Sequence, residues 1–371
     1  MKNRKKSNPF SAKCLFFDIF SGELINNGLN FLIKERKMAK LLDTVLLLAL
    51  PASGKSEVRR FMEHLTKEQC ENDMHMGETL QLDDYPYVHF MHRIDDELEK
   101  LGWHYIFYKG ATRPFKDQME WSTLIELLNQ DYEDLVNSTV IDVPSAAQWL
   151  FERMDNARAK FALGREFGKI PWDIRIAAGK AIEAEVAEFL KEKNATAAAD
   201  KTNKTIVIEL ARGGANGAAM PLTPPEGYAA SFDTFSEHIL NRSSILYVWV
   251  TPEESRRKNY ERAKPNGESS ILNHGVPLEV MLSEYGCDDM AYLIETSDKP
   301  NTVKVERTVT VKKDGKDVFA TKKWNIPVAR FDNREDLTTF IRKDPKEWGK
   351  EEYEKMYKGL SDAMKTLAEL S

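Results

Sequence analysis

The stretch ALPASGKSE places Ala49, Gly54, Lys55 and Ser56 on the spacing G-x-x-x-x-G-K-[ST], with alanine in the first position. Those residue types at those distances suit the holding of nucleotide phosphates. Successive backbone N–H groups must curl round phosphate oxygens, and Gly54 lets the chain come close. Lys55 carries positive charge toward the β- and γ-phosphates, and the Ser56 hydroxyl is a ligand for Mg²⁺. A helix opening near Gly54 adds the positive end of its dipole. Ala52, Ser53 and Glu57 complete the loop and join the candidate nucleotide-binding residues. Alanine at position 49 is the least intrusion a side chain can make.

Such a loop needs a strand to deliver it and a helix to receive it. Thr44–Leu50 is β-branched and leucine-rich, apolar on both faces, the pattern of a central parallel strand. Val58, Phe61, Met62 and Leu65 then recur at helical spacing. With these flanks, LLLALPASGKSE resembles the P-loop NTPases. Pro51 and the short loop are similar to the kinase-like branch, which holds small-molecule and nucleotide kinases. The resemblance implies ATP or GTP with Mg²⁺ and names no finer family.

Other strands bring further chemistry. A short strand at Thr79–Leu82 ends in Asp83 and Asp84, ahead of a helix around residues 87–101. A carboxylate at a strand's carboxyl end points into the ligand crevice of an α/β sheet. The resemblance to uridine-kinase-like enzymes implies that this carboxylate accepts the acceptor hydroxyl's proton; a turn-forming Asp-Asp pair beside Pro86 is the plainer alternative. The strand Thr205–Leu210 carries Glu209, followed by Arg212 and the glycines 213, 214 and 217. In P-loop proteins that carboxylate helps to hold Mg²⁺ and is usually Asp, so Glu209 departs from the pattern. Arg212 suits phosphate or an acidic substrate, or else a structural pair with Glu209. After the strand Ile245–Val250, a helix opens at Thr251-Pro252 and carries Arg256, Arg257 and Arg262. This resembles the lid-bearing helix of nucleotide kinases, whose arginines steady the transferred phosphoryl group; a solvated helix of Glu-Arg pairs has the same composition. The last strand ends at Asp332-Asn333, which the resemblance puts beside the adenine.

The rest of the chain reads as scaffold. A strand is expected at His104–Tyr108, and STVIDVP could be another. Residues 110–200 are mostly helical, with Trp121, Trp149 and Trp172 assigned to packing, and NATAAADKTNK reads as a link. A β-hairpin turns near Asp314-Gly315, and a helix closes the chain with apolar residues at 353, 356, 357, 360, 364 and 367. His274, Asp288 and Asp289 lie in loop-like surroundings. The fold expected is α/β: a parallel sheet flanked by helices, with a helical insertion and a β-hairpin. Its parts are 38–110, the half bearing the phosphate loop; 111–200, the insertion; and 201–371, the half with the arginine helix, the hairpin and the last helix. Residues 1–37 open on the basic MKNRKKSNPF and lack a clean signal-peptide apolar run, which predicts either a disordered tail or a misassigned extension before a start at Met38.

Of 371 residues 30% are charged, and the net charge of -6 argues against non-specific nucleic-acid binding. No stretch approaches the roughly 18 apolar residues of a membrane span. Cys14, Cys70 and Cys287 are far apart and match no metal-ligand spacing, which fits a reducing cytoplasm. The expected activity is ATP-dependent phosphoryl transfer to a small molecule or nucleotide. The alternative is a P-loop ATPase or nucleotide-binding switch that acts on a protein partner through its helical block.

Overall fold

The computed structural model describes residues 40–262, 275–313 and 315–371, which belong to a unit running from Ala39 to Ser371. The readings made for residues 1–37, Met38, Cys14, His274 and Asp314 lie outside these residues. Strand β1 (Thr44–Leu48) is followed by α1 (Lys55–Glu63), α2 (Lys67–Asn72) and β2 (Glu78–Asp83). Four long helices come next: α3 (Tyr85–Lys100), α4 (Glu120–Val136), α5 (Ala146–Ala159) and α6 (Trp172–Ala198). Then run β3 (Lys204–Leu210), α7 (Gly227–Thr234), α8 (Glu237–Leu240), β4 (Ser243–Trp249) and α9 (Pro252–Arg262). The chain closes with α10 (Leu278–Ser283), α11 (Met290–Glu295), β5 (Thr302–Lys313), β6 (Lys316–Asp332) and α12 (Lys350–Leu370).

The six strands form one sheet in the order β2-β3-β1-β4-β6-β5. All neighbours are parallel except β5 and β6, so the expected α/β architecture and its hairpin are both present. From β1 the chain goes out to the edge at β2, returns to β3, then crosses to β4 on the other flank of β1. In open α/β sheets, ligands bind outside the carboxyl ends of the strands at such a reversal, which here flanks β1.

Apolar residues on both faces of β1 explain its central place. Leu46 and Leu48 pack with Ile208, Leu210 and Ile245 against Ile125, Leu128 and Tyr132 of α4. Val45 and Leu47 face the other way, with Val207, Leu246 and Val248 against Val58 and Phe61 of α1 and Met356, Leu360 and Met364 of α12. A third core lies away from the sheet, where Ile94 and Leu98 of α3 meet Leu124 and Leu127 of α4, Phe151 of α5 and Ile182 and Val186 of α6. Helix α4 is therefore buried on nearly every side, its polar Glu120, Glu126, Asn129 and Asp131 included, because it sits between the sheet and the outer helices. No described helix is long and apolar enough to cross a membrane.

Several expectations fail for physical reasons. His104–Tyr108 is not a strand; the Asp95 carboxylate takes the N–H groups of Ile106 (2.6 Å), Phe107 (3.0 Å) and Tyr108 (2.9 Å) that a ladder would have used. Residues 139–143 are likewise irregular, and Asn194 bonds both the N–H and the carbonyl of Ile141 at 2.8 Å. That asparagine belongs to α6, so the supposed link begins inside a helix. Trp121 is buried, but Trp172, the first residue of α6, is 71% exposed and packs in no core. The hairpin's second arm and the last strand are one element: β6 pairs antiparallel with β5 up to Pro327, then parallel with β4 from Val328 to Asp332. After it comes a short 3-10 turn, Thr339–Arg342.

Candidate functional site

Between Leu48 and Lys55 the chain turns through two left-handed residues, Ala52 (φ 57°) and Gly54 (φ 104°). At Gly54 a side chain is excluded by space as well as by conformation. An added Cβ would lie 2.6 Å from Thr338 Oγ1 and 2.8 Å from Asn333 Nδ2. The loop carbonyls are tied outward by side chains from distant elements. Tyr228 donates its hydroxyl to Ala49 O (3.0 Å), Ser255 to Pro51 O (2.7 Å) and Asn333 its amide to Ser53 O (2.7 Å). By contrast, the backbone amides from Ala52 to Ser56 donate to no acceptor among the described residues. Consecutive free N–H groups around a left-handed turn, at the start of a helix, make a concavity that attracts anions.

Lys55 is the first residue of α1, and its ammonium is 3.4 Å from Ala49 O. Burial pushes the pKa of this ammonium down, while Glu209, Asp83 and Asp84 together pull it up. Those three carboxylates come from two neighbouring strand ends, and the sheet register sets Asp83 directly beside Glu209. Burial, then the charges of Glu209 and Asp84, push Asp83 up to about 7. The Tyr85 N–H, at 2.8 Å, works against this. Asp84 has a different environment. It is locked to the Arg212 guanidinium at 2.5 Å, with both side chains buried. Glu209 is 3.3 Å from Arg59 Nε, one turn beyond Lys55 on α1, and Arg59 also donates to Gln81. Arg212 and Glu209 are therefore not partners of each other.

The three arginines of α9 separate. Arg256 bonds Glu253 and Asn216, and Arg257 bonds Glu254 and Glu261 near the surface. Arg262, at the helix end, lies 3.5 Å from Glu57 and is close enough to act on the charge of Lys55. Glu57 is shared with Arg342, at 2.7 Å. Burial works to raise the Glu57 pKa, but Arg262 and Arg342 outweigh it and hold the carboxyl below its ordinary value. Asp332 faces the surface with Arg334, while Asn333 is fully buried behind the loop, bonded to Ser53 O and to Thr338 Oγ1 (2.9 Å). No described group of three or more His, Cys, Asp or Glu side chains forms a ready metal cage. A Mg²⁺ ion bound with a nucleotide usually keeps several waters and takes one or two protein oxygens beside the phosphates. Ser56 and Glu209 are the residues here that could supply them.

Sequence reasoning missed Tyr228, Ser255, Thr338, Arg342 and Arg59. The ties to the loop span 179, 204 and 280 residues, and no local pattern signals such a bond. Comparison of the chain with protein-family models, curated proteins and solved structures gave no match.

Proposed function

We propose that this protein is a Mg²⁺-dependent phosphotransferase of the kinase-like P-loop type, moving the γ-phosphoryl group of ATP or GTP to a hydroxyl of a small molecule or nucleotide. The reading is carried by the run of free amides from Ala52 to Ser56 beside buried Lys55, facing carboxylates at two strand ends. Bound Mg²⁺ would draw charge from the β- and γ-phosphate oxygens, with Ser56 and Glu209 on its protein side. Lys55 and the amides hold the phosphates in place. Asp83 takes the proton of the acceptor hydroxyl; the new O–P bond forms as the bond to the β-phosphate oxygen breaks. Between the two candidate bases, Asp83 is favoured because Asp84 is committed to Arg212. A carboxylate that titrates near neutrality is also suited to take a proton at neutral pH. Arg262 lies on the phosphate side and steadies the transferring group, whereas Arg256 and Arg257 are held by glutamates of their own helix.

The test is the fate of label from γ-labelled ATP with Mg²⁺ and a small-metabolite extract. A labelled new compound is expected, and Lys55→Ala should reduce its formation about 10²-fold or more, the scale of removing one key electrostatic stabiliser. Label found only as inorganic phosphate would favour an ATPase or switch, and undiminished transfer by Lys55→Ala would remove the loop from the reaction.

A further inference from the structure

Arg212 is 2% exposed, a rare position for a guanidinium, and its hydrogen bonding is incomplete. Nη1 donates to Asp84 Oδ2 at 2.5 Å and to Ala211 O at 2.7 Å. Nε and Nη2 have no partner among the described residues and no contact with solvent. Buried donors without acceptors are costly, at roughly 1–3 kcal/mol each and more when charged. Trp121 covers the face of the guanidinium at 4.8 Å, which stabilises the cation without accepting an in-plane N–H. The unpartnered atoms are therefore the Nε–Nη2 edge, the fork that grips a carboxylate or phosphate through two parallel hydrogen bonds.

The surroundings of the guanidinium are aromatic. Trp121 meets Phe115 at 4.9 Å and Tyr285 at 5.6 Å, and Phe115 stacks on Tyr108 at 4.7 Å. The Tyr108 hydroxyl is a second buried polar atom without a partner. Arg212 follows β3 by two residues, at the end of the sheet where the phosphate loop lies, and its partner Asp84 is the neighbour in sequence of Asp83. Asp84 holds the guanidinium from one side and leaves the other edge aimed away from that pair.

We infer that the Nε–Nη2 edge of Arg212 binds an oxyanion of the acceptor substrate, a carboxylate or phosphate, and so restricts the acceptor to anionic hydroxy compounds; this rests on the phosphotransferase reading. Because the edge is closed to solvent, binding requires side chains packed over it to move. The acceptor then spans from Arg212 to Asp83 with its hydroxyl at the carboxylate.

The experiment separates the extract on an anion-exchange resin and assays both fractions for label uptake from γ-labelled ATP. The Lys55-dependent acceptor is expected in the retained fraction. Arg212→Lys, which keeps the charge and loses the fork, should raise the acceptor KM at least tenfold while the ATP KM changes less than twofold. An acceptor in the unretained fraction, or an unaltered acceptor KM, overturns the proposal and leaves the kinase reading standing. If neither fraction takes label, the kinase reading fails, and the anion site is judged by thermal shift of Lys55→Ala with inorganic phosphate and with citrate. A rise in Tm that disappears on adding Asp84→Asn and Arg212→Gln together supports the oxyanion site, and phosphate acting without citrate or the reverse identifies the group. No rise, or one that survives, overturns it. The paired substitution removes both charges at once, so neither is left buried alone.

Discussion

Replacing Gly54 by alanine should damage the proposed phosphate loop in two ways that the structure lets one count. First, φ is 104° at this residue, and an L side chain in the left-handed region costs roughly 1–2 kcal/mol. Second, the new Cβ would stand 2.6 Å from Thr338 Oγ1 and 2.8 Å from Asn333 Nδ2, too close for either to stay. If Asn333 withdraws, its bonds to Ser53 O (2.7 Å) and Thr338 Oγ1 (2.9 Å) go with it. A buried carbonyl left without its donor costs about 1–3 kcal/mol. The two parts together come to about 2–5 kcal/mol. Gly217→Ala is the control: its φ is also positive, at 79°, but nothing lies within 4 Å of the added atom, so only the conformational part of about 1–2 kcal/mol applies. Urea unfolding of both variants, with unchanged m-values, gives the comparison. Gly54→Ala should lose at least 1 kcal/mol more than Gly217→Ala, and its nucleotide affinity should drop while that of Gly217→Ala holds. Equal losses in stability would refute the idea that Asn333 and Thr338 brace the loop from behind.

Asp83→Asn should lower kcat by 10²- to 10⁴-fold, the usual range for a general base, and abolish a rising limb of the pH–rate profile near the pKa of about 7. Its stability profile gives an independent reading. Burial and like charge raise this pKa from 3.8, so the folded chain holds the proton more tightly than the unfolded one, and the stability so gained is lost as pH climbs from 3.8 toward 7. Denaturant titrations across that window should show a shallower decline for Asp83→Asn than for wild type; parallel curves would exclude the shift. Arg262→Ala should reduce turnover tenfold or more, while Arg257→Ala, bonded to Glu254 and Glu261 at the surface, should alter turnover less than twofold and stability by less than about 0.5 kcal/mol. Asp95→Ala strips the acceptor from three buried N–H groups and should cost about 2–5 kcal/mol in urea unfolding without changing nucleotide affinity in the folded protein. A loss below 1 kcal/mol would mean that water reaches those amides.

What was legible in the sequence is what depends on nearest neighbours along the chain. The strand before the loop, the helix after it and the two carboxylate-bearing strand ends follow from apolar period and from Gly-Lys-Ser, and all appear. The sequence placed Asp83 and Glu209 on separate strands without any means of seeing that register sets them side by side. Misreadings arose where a side chain did the work of a ladder. His104–Tyr108 has the composition of a strand, but Asp95, on the preceding helix, had already taken its amides. The charge-rich α9 offered three equivalent arginines; distance to Glu57 and Lys55 separates Arg262 from Arg256 and Arg257, which pair with glutamates of their own helix. Asn333 drew attention as the end of the last strand and lies in the loop region, yet as a brace beneath Ser53.

The departure at Ala49 has a physical explanation once the loop is seen. A glycine is required where φ is positive or where another atom occupies the space of Cβ. The positive φ values in this turn fall on Ala52 and Gly54, and the close approach of Thr338 and Asn333 falls on Gly54 alone. Ala49 is fully buried and contributes its carbonyl, which accepts from Tyr228 and from Lys55, so its methyl meets the core and stays clear of the cradle. Each outward tie on a loop carbonyl also fixes the plane of the next peptide, because the peptide unit is flat. Holding Ala49 O, Pro51 O and Ser53 O from three separate elements therefore sets the direction of the N–H groups that follow them before any ligand arrives. An anion that bound to amides already aligned would lose less affinity to ordering the loop, the advantage the proposed phosphate site would draw from these ties.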